Sequence, residues 1–261
     1  MARFWGLARY EYRMSIQRWG IWVILGLLFA FYAYNAVTGD VQPGAQPWDI
    51  SDLELWQTAG LLAFSLNLFT PLVAGIALAD RMQRDRRLGV DELLASTALT
   101  RWNYILGKYV GGLLSMLTPI FAMIILMGLL TVLTGAQLAF FGRRLLGFLA
   151  INVPAFAFVT IFSLGFPLIM PVRVYQVLFT GYWFWGNYLN PAVFPTLSHT
   201  MLSPSGRYAL EAFFGTHFGA APGYVAPSAL DAALNLVILA GCILAGMLLL
   251  DRYLAWHAGR D

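Results

Sequence analysis

Charge is scarce in this chain. Asp, Glu, Lys and Arg make up 11% of its 261 residues, against about 25% in a soluble globular domain. Hydrophobic residues supply 59%, more than a hydrated surface can cover, so an ordinary soluble domain and a nucleic-acid-binding surface are both excluded. The single cysteine, Cys242, permits neither an internal disulfide nor a cysteine metal cluster. His199 and His217 have no carboxylate or cysteine at ligand spacing, so no metal site is expected.

Long apolar sequence is what the chain has in abundance. A helix needs roughly 20 mostly apolar residues to cross hydrocarbon. Six runs answer that need, at about 19–37, 55–79, 104–134, 145–167, 172–189 and 231–250. The fold expected is therefore an all-α integral membrane protein with six transmembrane helices in one domain, 1–261. Near the centres of these runs there is no Asp, Glu, Lys, Arg or His. Ionisable groups at mid-depth are costly and persist where they act, so a proton-coupled carrier, an intramembrane metalloprotease and a haem-binding bundle are disfavoured, and no catalytic residue is proposed. The first run follows Arg3, Arg9, Arg13 and Arg18, yet it is too long for a signal peptide and ends in bulky Tyr32 and Tyr34. It is expected to stay as a span.

Basic residues are unevenly placed. Four precede the first span, six lie between Arg81 and Lys108, Arg173 sits in the turn after the fourth run, and Arg252 and Arg260 close the chain. That makes thirteen on one side against Arg143, Arg144 and Arg207 on the other. Cytoplasmic loops retain Lys and Arg, so a multi-pass protein of the plasma membrane with both termini cytoplasmic is expected.

Smaller features fill in this layout. Over 3–18, Phe4, Leu7, Ala8 and Tyr12 form a stripe with Arg9, Glu11 and Arg13 elsewhere, which fits either an amphipathic interfacial helix on the inner leaflet or a plain basic anchor. Ser51 stands three residues before Glu54, a capping-box spacing that opens the second span. Within that span, Asn67 and Thr70 either face a substrate path or are satisfied between helices, and Gly75 and Ala79 are spaced for close packing, as are Gly241 and Ala245 in the last span. Pro119 and Pro154 predict kinks in the third and fourth spans, and Pro167 and Pro171 a tight hairpin between the fourth and fifth. Tyr182, Trp183 and Trp185, in the aromatic fifth run, either wall an apolar cavity on a path or form an interfacial belt. The external segment after Asn190 contains "SGRYALEAFFG", a short amphipathic helix before span six that is expected to dip into the outer face.

The sharpest feature is "RMQRDRRLGVDE", Arg81 to Glu92, with seven charged residues in twelve. A positive-inside anchor explains its arginines but not Asp85, Asp91 and Glu92 among them, and mixed charge at this density suits docking on a protein surface, where paired charges set register. Gly89 breaks the basic run; Val90, Leu93 and Leu94 then fall at helical spacing, behind acids that suit a helix N-terminus. The segment 80–101 is read as a coupling element containing a short helix across the mouth of spans two and three. Its only nucleotide-like motif, Gly107 before Lys108, has Trp102 and Tyr109 where a phosphate loop needs Gly and Ser or Thr. The chain is therefore expected to be no enzyme, and any ATPase it uses belongs to another subunit.

The run "RRLGVDELLASTALTRWNYILGKYVGG" is similar to the cytoplasmic connection between spans two and three in ATP-binding-cassette permeases of the six-helix type-two exporter class. Gly89, Glu92, Leu93, Leu94, Thr97, Arg101, Leu106, Gly107 and Lys108 carry the match, and Ala98 departs from it where many members have proline. The resemblance implies an exporter permease without a cofactor of its own, paired with a second copy or a related permease in membrane lipid, above two cytoplasmic ATPase subunits that bind ATP and Mg. It assigns the ATPase contacts to Arg84, Asp85, Arg86, Arg87, Gly89, Asp91, Glu92, Leu93 and Leu94, and a path to spans one, two and five. A competing reading from the residues alone is a membrane scaffold that recruits a cytoplasmic protein and moves no solute.

Overall fold

The computed structural model describes residues 2–17, 19–38, 51–89, 100–133, 138–191, 193–217 and 225–258. Among these the secondary structure is entirely helical. Helices α1 (Ala2–Ile16) and α2 (Trp19–Thr38) lead into α3 (Asp52–Leu66), α4 (Thr70–Leu78) and α5 (Arg81–Arg87), and then into the long α6 (Arg101–Leu133). Next come α7 (Leu138–Gly147), a π-helical turn (Phe148–Asn152), α8 (Val153–Gly165) and a 3-10 turn (Phe166–Leu168). The chain closes with α9 (Val172–Asn187), α10 (Arg207–Phe214) and α11 (Ala229–Ala258). Among the described residues four stretches are long and apolar enough to cross a membrane: Asp52–Arg87, Arg101–Leu133, Leu138–Leu168 and Ala229–His257. The 33 residues of α6 rise about 50 Å, well beyond a hydrocarbon core of about 30 Å.

Helix α8 lies at the centre. Its Phe156 packs with Leu78, Ile120 and Met123, its Val159 with Phe179 and Leu239, and its Ile161 with Ile105 and Met247. It therefore meets α4, α6, α9 and α11, has no exposed residue, and carries Thr160 and Ser163 as its polar side chains among apolar ones, as suits a buried helix. By contrast Trp19, Leu27 and Phe31 of α2, and Val237, Leu244 and Leu249 of α11, are exposed. Apolar surface on that scale needs lipid or another subunit to cover it. Gly241 has nothing within 4 Å of the place where a Cβ would stand, whereas Gly246 meets Ile161 at 2.9 Å. The close-packing face of α11 inside this chain is thus one step from the one expected.

The capping box forms: the Ser51 backbone N–H donates to Glu54 Oε2 at 2.7 Å and the Glu54 N–H donates to Ser51 Oγ at 3.3 Å. From there the second apolar run is interrupted between α3 and α4, at residues 67–69. Pro71 has no N–H to offer the carbonyl four residues back, and its ring crowds that carbonyl. Side chains repair the break. Thr70 Oγ1 donates to Leu66 O at 2.7 Å, and Trp183 Nε1 donates to Leu68 O at 3.0 Å. Kinks are expected at Pro119 and Pro154; Pro119 lies inside the continuous helix α6, and the turn before Pro154 widens so that the Val153 N–H reaches Phe148 O. An inserted residue of this kind is how a helix absorbs a missing donor without breaking.

Asn67 sits in the gap with no exposed surface. Its Nδ2 donates to Ile151 O at 3.0 Å and to Ser205 O at 3.1 Å, and its Oδ1 accepts from Asn152 Nδ2 at 2.6 Å. The same Asn152 donates to Ala63 O at 2.9 Å. The segment 198–206 is thereby pinned into the bundle, helped by Ser203 Oγ on Asn187 Oδ1 and Asn235 Nδ2 on Met201 O, both at 2.8 Å. Gly206, at φ +85°, completes it, because a Cβ there would be 2.5 Å from Ile151. Helix α10 buries Ala209, Leu210 and Phe214 against Ala63 and Ile151. Asn67→Ala removes all three of the amide's bonds and strands buried carbonyls. We expect about 1–3 kcal/mol of destabilisation, read as a lowered unfolding midpoint, with Thr70→Val well below that.

Candidate functional site

The charged island is where the geometry concentrates. Helix α5 ends with the Leu88 N–H on Arg84 O at 3.1 Å and Gly89 at φ +64°, a left-handed turn that glycine adopts without strain. Four charges meet beside it. Lys108 Nζ lies 2.5 Å from Glu11 Oε1 and 2.5 Å from Asp85 Oδ2, while Arg81 stands 3.7 Å from Glu11 Oε2. Tyr104 Oη donates to Asp85 Oδ2 at 2.9 Å, and the Lys108 ammonium lies 5.6 Å from the Tyr104 ring centre. The Lys108 and Glu11 side chains are 1% and 4% exposed. Two acids and two bases balance, which is the condition under which buried charge is tolerated.

This cluster fastens three elements together: Glu11 comes from α1, Arg81 and Asp85 from α5, and Lys108 from α6. Two glycines make the contact possible. A Cβ on Gly107 would stand 2.8 Å from Leu7, and one on Gly111 would stand 2.5 Å from the Ala8 carbonyl oxygen. At Gly111 only bare glycine lets the α1 backbone lie on α6. Helix α1 therefore seats Ala8, Glu11 and Ser15 against the bundle, all buried, where Glu11 was expected off the apolar stripe. Its carboxylate occupies the buried face because Lys108 neutralises it. The signal was present in the spacing, since Glu11 follows Leu7 and Ala8 by four and three residues and precedes Ser15 by four.

The proposed contact residues divide. Arg84 and Arg87 are exposed, and Arg87 is held by Gln83 Oε1 at 2.9 Å. Arg86 is half-buried over the Tyr253 ring at 5.8 Å, and Asp85 faces inward to Lys108. Gly89 closes α5, while Asp91, Glu92, Leu93 and Leu94 lie outside the described residues.

The proposed path residues do not share one surface. Asn67, Thr70 and Trp183 are buried, each in the hydrogen bonds that mend the α3–α4 break. Trp185 is 41% exposed and donates to Pro195 O at 2.9 Å. Tyr182 lines an apolar cavity of about 370 Å³ with Phe158, Phe162, Phe166, Tyr175 and Phe179. The aromatics of α9 thus split between cavity wall, core and outer rim.

At the other end of the bundle, Arg143 pairs with Asp52 at 2.9 Å. Helices α7 and α8 run alongside α3 and α4 in the same direction, so this pair sits opposite the island. His199 contacts Arg207; burial first, and the arginine's charge second, hold its pKa below the usual imidazole value. Among the described residues no group of His, Cys, Asp and Glu is placed to hold a metal ion.

The family model described as ABC-2 family transporter protein matches residues 5–168. That is more than half of the chain, and it includes all four members of the charge cluster. No curated protein matches.

Proposed function

Because the chain belongs to the ABC-2 family of transporter proteins, and is therefore a membrane component that pairs with a separate ABC ATPase, we propose that it is the permease of an exporter with its island as the ATPase-coupling element. In this reading six spans cross the plasma membrane at about 19–37, 55–79, 104–134, 145–167, 172–189 and 231–250, both termini are cytoplasmic, and 80–101 seats on the ATPase. ATP and Mg belong to that partner. A second copy or a related permease covers the exposed apolar faces of α2 and α11, and lipid covers the rest.

The observation that carries the coupling reading is the buried cluster of Glu11, Arg81, Asp85 and Lys108. A push received at the exposed Arg84 and Arg87 reaches α1 and α6 through ion pairs that cannot slide past one another without exposing charge to an apolar interior. Interfaces of this kind move as bodies rather than deform. Asp85 serves the linkage, and Arg84, Arg87 and the 90–94 stretch serve the partner. The aromatic cavity at Tyr182 suits a lipophilic or amphipathic solute.

The test is co-purification with the candidate ATPase, comparing wild type with Glu92→Ala and with Arg86 and Arg87 reversed to Glu. Loss of the ATPase, or ATPase activity no longer tied to transport, with the membrane fold retained, is the expected result. Full assembly and activity in every variant would remove the coupling assignment.

A further inference from the structure

The inner end of α9 borders a cavity whose α9 side none of these roles uses. It measures about 620 Å³ and lies between α5 and α9, lined by Arg84, Arg87 and Arg173 together with Gln83, Gln176 and Asp80. Three guanidinium groups against one carboxylate leave it positive by two. The N-terminus of α9 adds to this: Pro171 and Val172 line the cavity, and no side chain caps that helix end, so its first free N–H groups favour an anion. The two glutamines are already turned to the walls, Gln83 Nε2 on Pro167 O at 3.1 Å and Gln176 Nε2 on Ile76 O at 3.3 Å. Their amides brace the rim and leave the arginines as the charged groups facing the space.

We propose that this cavity holds the phosphate-bearing headgroup of an anionic membrane lipid. Two sources of phosphate fit the charge, a lipid headgroup and the free ion, and the surroundings favour the lipid. Val177, one turn beyond Arg173 on the same face of α9, is 72% exposed, and Val174 beside it is 47% exposed. An acyl chain lying along that strip covers apolar surface that free phosphate leaves bare. Arg173 and Arg87 also lie where the apolar runs of α9 and α3–α5 end, the depth at which headgroup phosphates stand. Guanidinium pairs bidentately with phosphate oxygens, and basic pockets between helices at this level are suited to anionic headgroups. The proposal rests on the topology above for the leaflet, which is the cytoplasmic one; it shares Arg84 and Arg87 with the proposed ATPase contact, and Arg173, which has no part in that contact, is the residue that separates the two.

Native mass spectrometry of the full chain in detergent, titrated with dioleoylphosphatidylglycerol, dioleoylphosphatidylcholine or inorganic phosphate, tests it. Wild type is expected to retain phosphatidylglycerol in preference to phosphatidylcholine, with salt weakening the difference. Arg173→Gln should lower that retention about fivefold, and with Arg87→Gln on the order of 25-fold. Arg173→Lys should keep most of it, and Arg143→Gln, at the opposite end, should keep all of it. Both glutamine substitutions fall on exposed side chains, so the unfolding midpoint should not move. Undiminished phosphatidylglycerol retention in the double variant would overturn the proposal. So would inorganic phosphate displacing the lipid at equal concentration, which would assign the cavity to a free anion. Loss of the ATPase in Arg173→Gln with lipid retention unchanged would overturn it too, by placing the cavity in the subunit interface.

Discussion

Lys108→Gln is expected to lower stability by about 3–5 kcal/mol and to open the α1 backbone at Arg9 and Arg13 to trypsin. The substitution leaves Glu11 and Asp85 buried against Arg81 alone, so one carboxylate loses its counter-charge in a site with almost no water. Adding Glu11→Gln restores the balance of charge, one carboxylate at Asp85 to one guanidinium at Arg81. The double variant should recover most of the loss, and an interaction energy of at least about 1 kcal/mol should emerge from the cycle. Simple additivity of the two single substitutions would show that the four groups do not act as a unit. Thermal midpoints and cleavage rates in reconstituted membranes, measured together, separate detachment of α1 from collapse of the bundle.

Gly111→Ala is the second substitution with a large expected effect, and its neighbour supplies the control. A Cβ at Gly111 meets a backbone oxygen at 2.5 Å, and a backbone cannot turn aside. Helix α1 must lift from α6, which strains the Glu11 pair as well. We expect about 2–3 kcal/mol of destabilisation and faster trypsin cleavage. At Gly107 the nearest atoms all belong to the Leu7 side chain, Cδ2 at 2.8 Å, Cγ at 3.0 Å and Cβ at 3.2 Å; the outer ones can rotate aside and the Cβ asks for a shift of a few tenths of an ångström, so Gly107→Ala should cost less than Gly111→Ala, about 1 kcal/mol. If α1 is only a loose anchor on the leaflet, the two variants will behave alike. In an assembled transporter Gly111→Ala should also weaken the link between ATP hydrolysis and transport, measured as hydrolysis that continues while solute flux falls.

Much of the design was legible from residue type and spacing. Apolar run length exposes the long helices, Ser51 and Glu54 mark the start of α3, and the density of charge after Asp80 marks the island. Gly89, read as a break in the basic run, follows directly on the end of α5, while the short helix expected after it, at Val90, Leu93 and Leu94, lies outside the described residues. What spacing could not reveal is pairing across distance. Glu11 looks like a surface acid until Lys108 is placed beside it, 97 positions later. The interruption at 67–69 was hidden for a similar reason. Proline alone does not say whether a helix will bend, widen or break; α6 runs on through Pro119, whereas beside Pro71 the Trp183 indole and the Thr70 hydroxyl donate to backbone carbonyls while Ile151 O and Ser205 O accept from the Asn67 amide. The aromatic fifth run was ambiguous because Tyr182, Trp183 and Trp185 follow one another around a helix and meet three different surroundings.

The asparagine network also sets a timetable. Asn67 enters the membrane with the second apolar run, but one of its acceptors, Ser205, follows 138 residues later. At ordinary rates of synthesis that is a wait on the order of 10 s, during which the Asn67 amide must find provisional partners or stay near the lipid surface. Asn235, which ties down the same 198–206 segment, comes later still. Insertion of the helices and consolidation of the bundle are therefore separate events in the life of this chain. The second is completed only when α11 has left the ribosome, and a product that stops short of α11 reaches the membrane with its polar core still open.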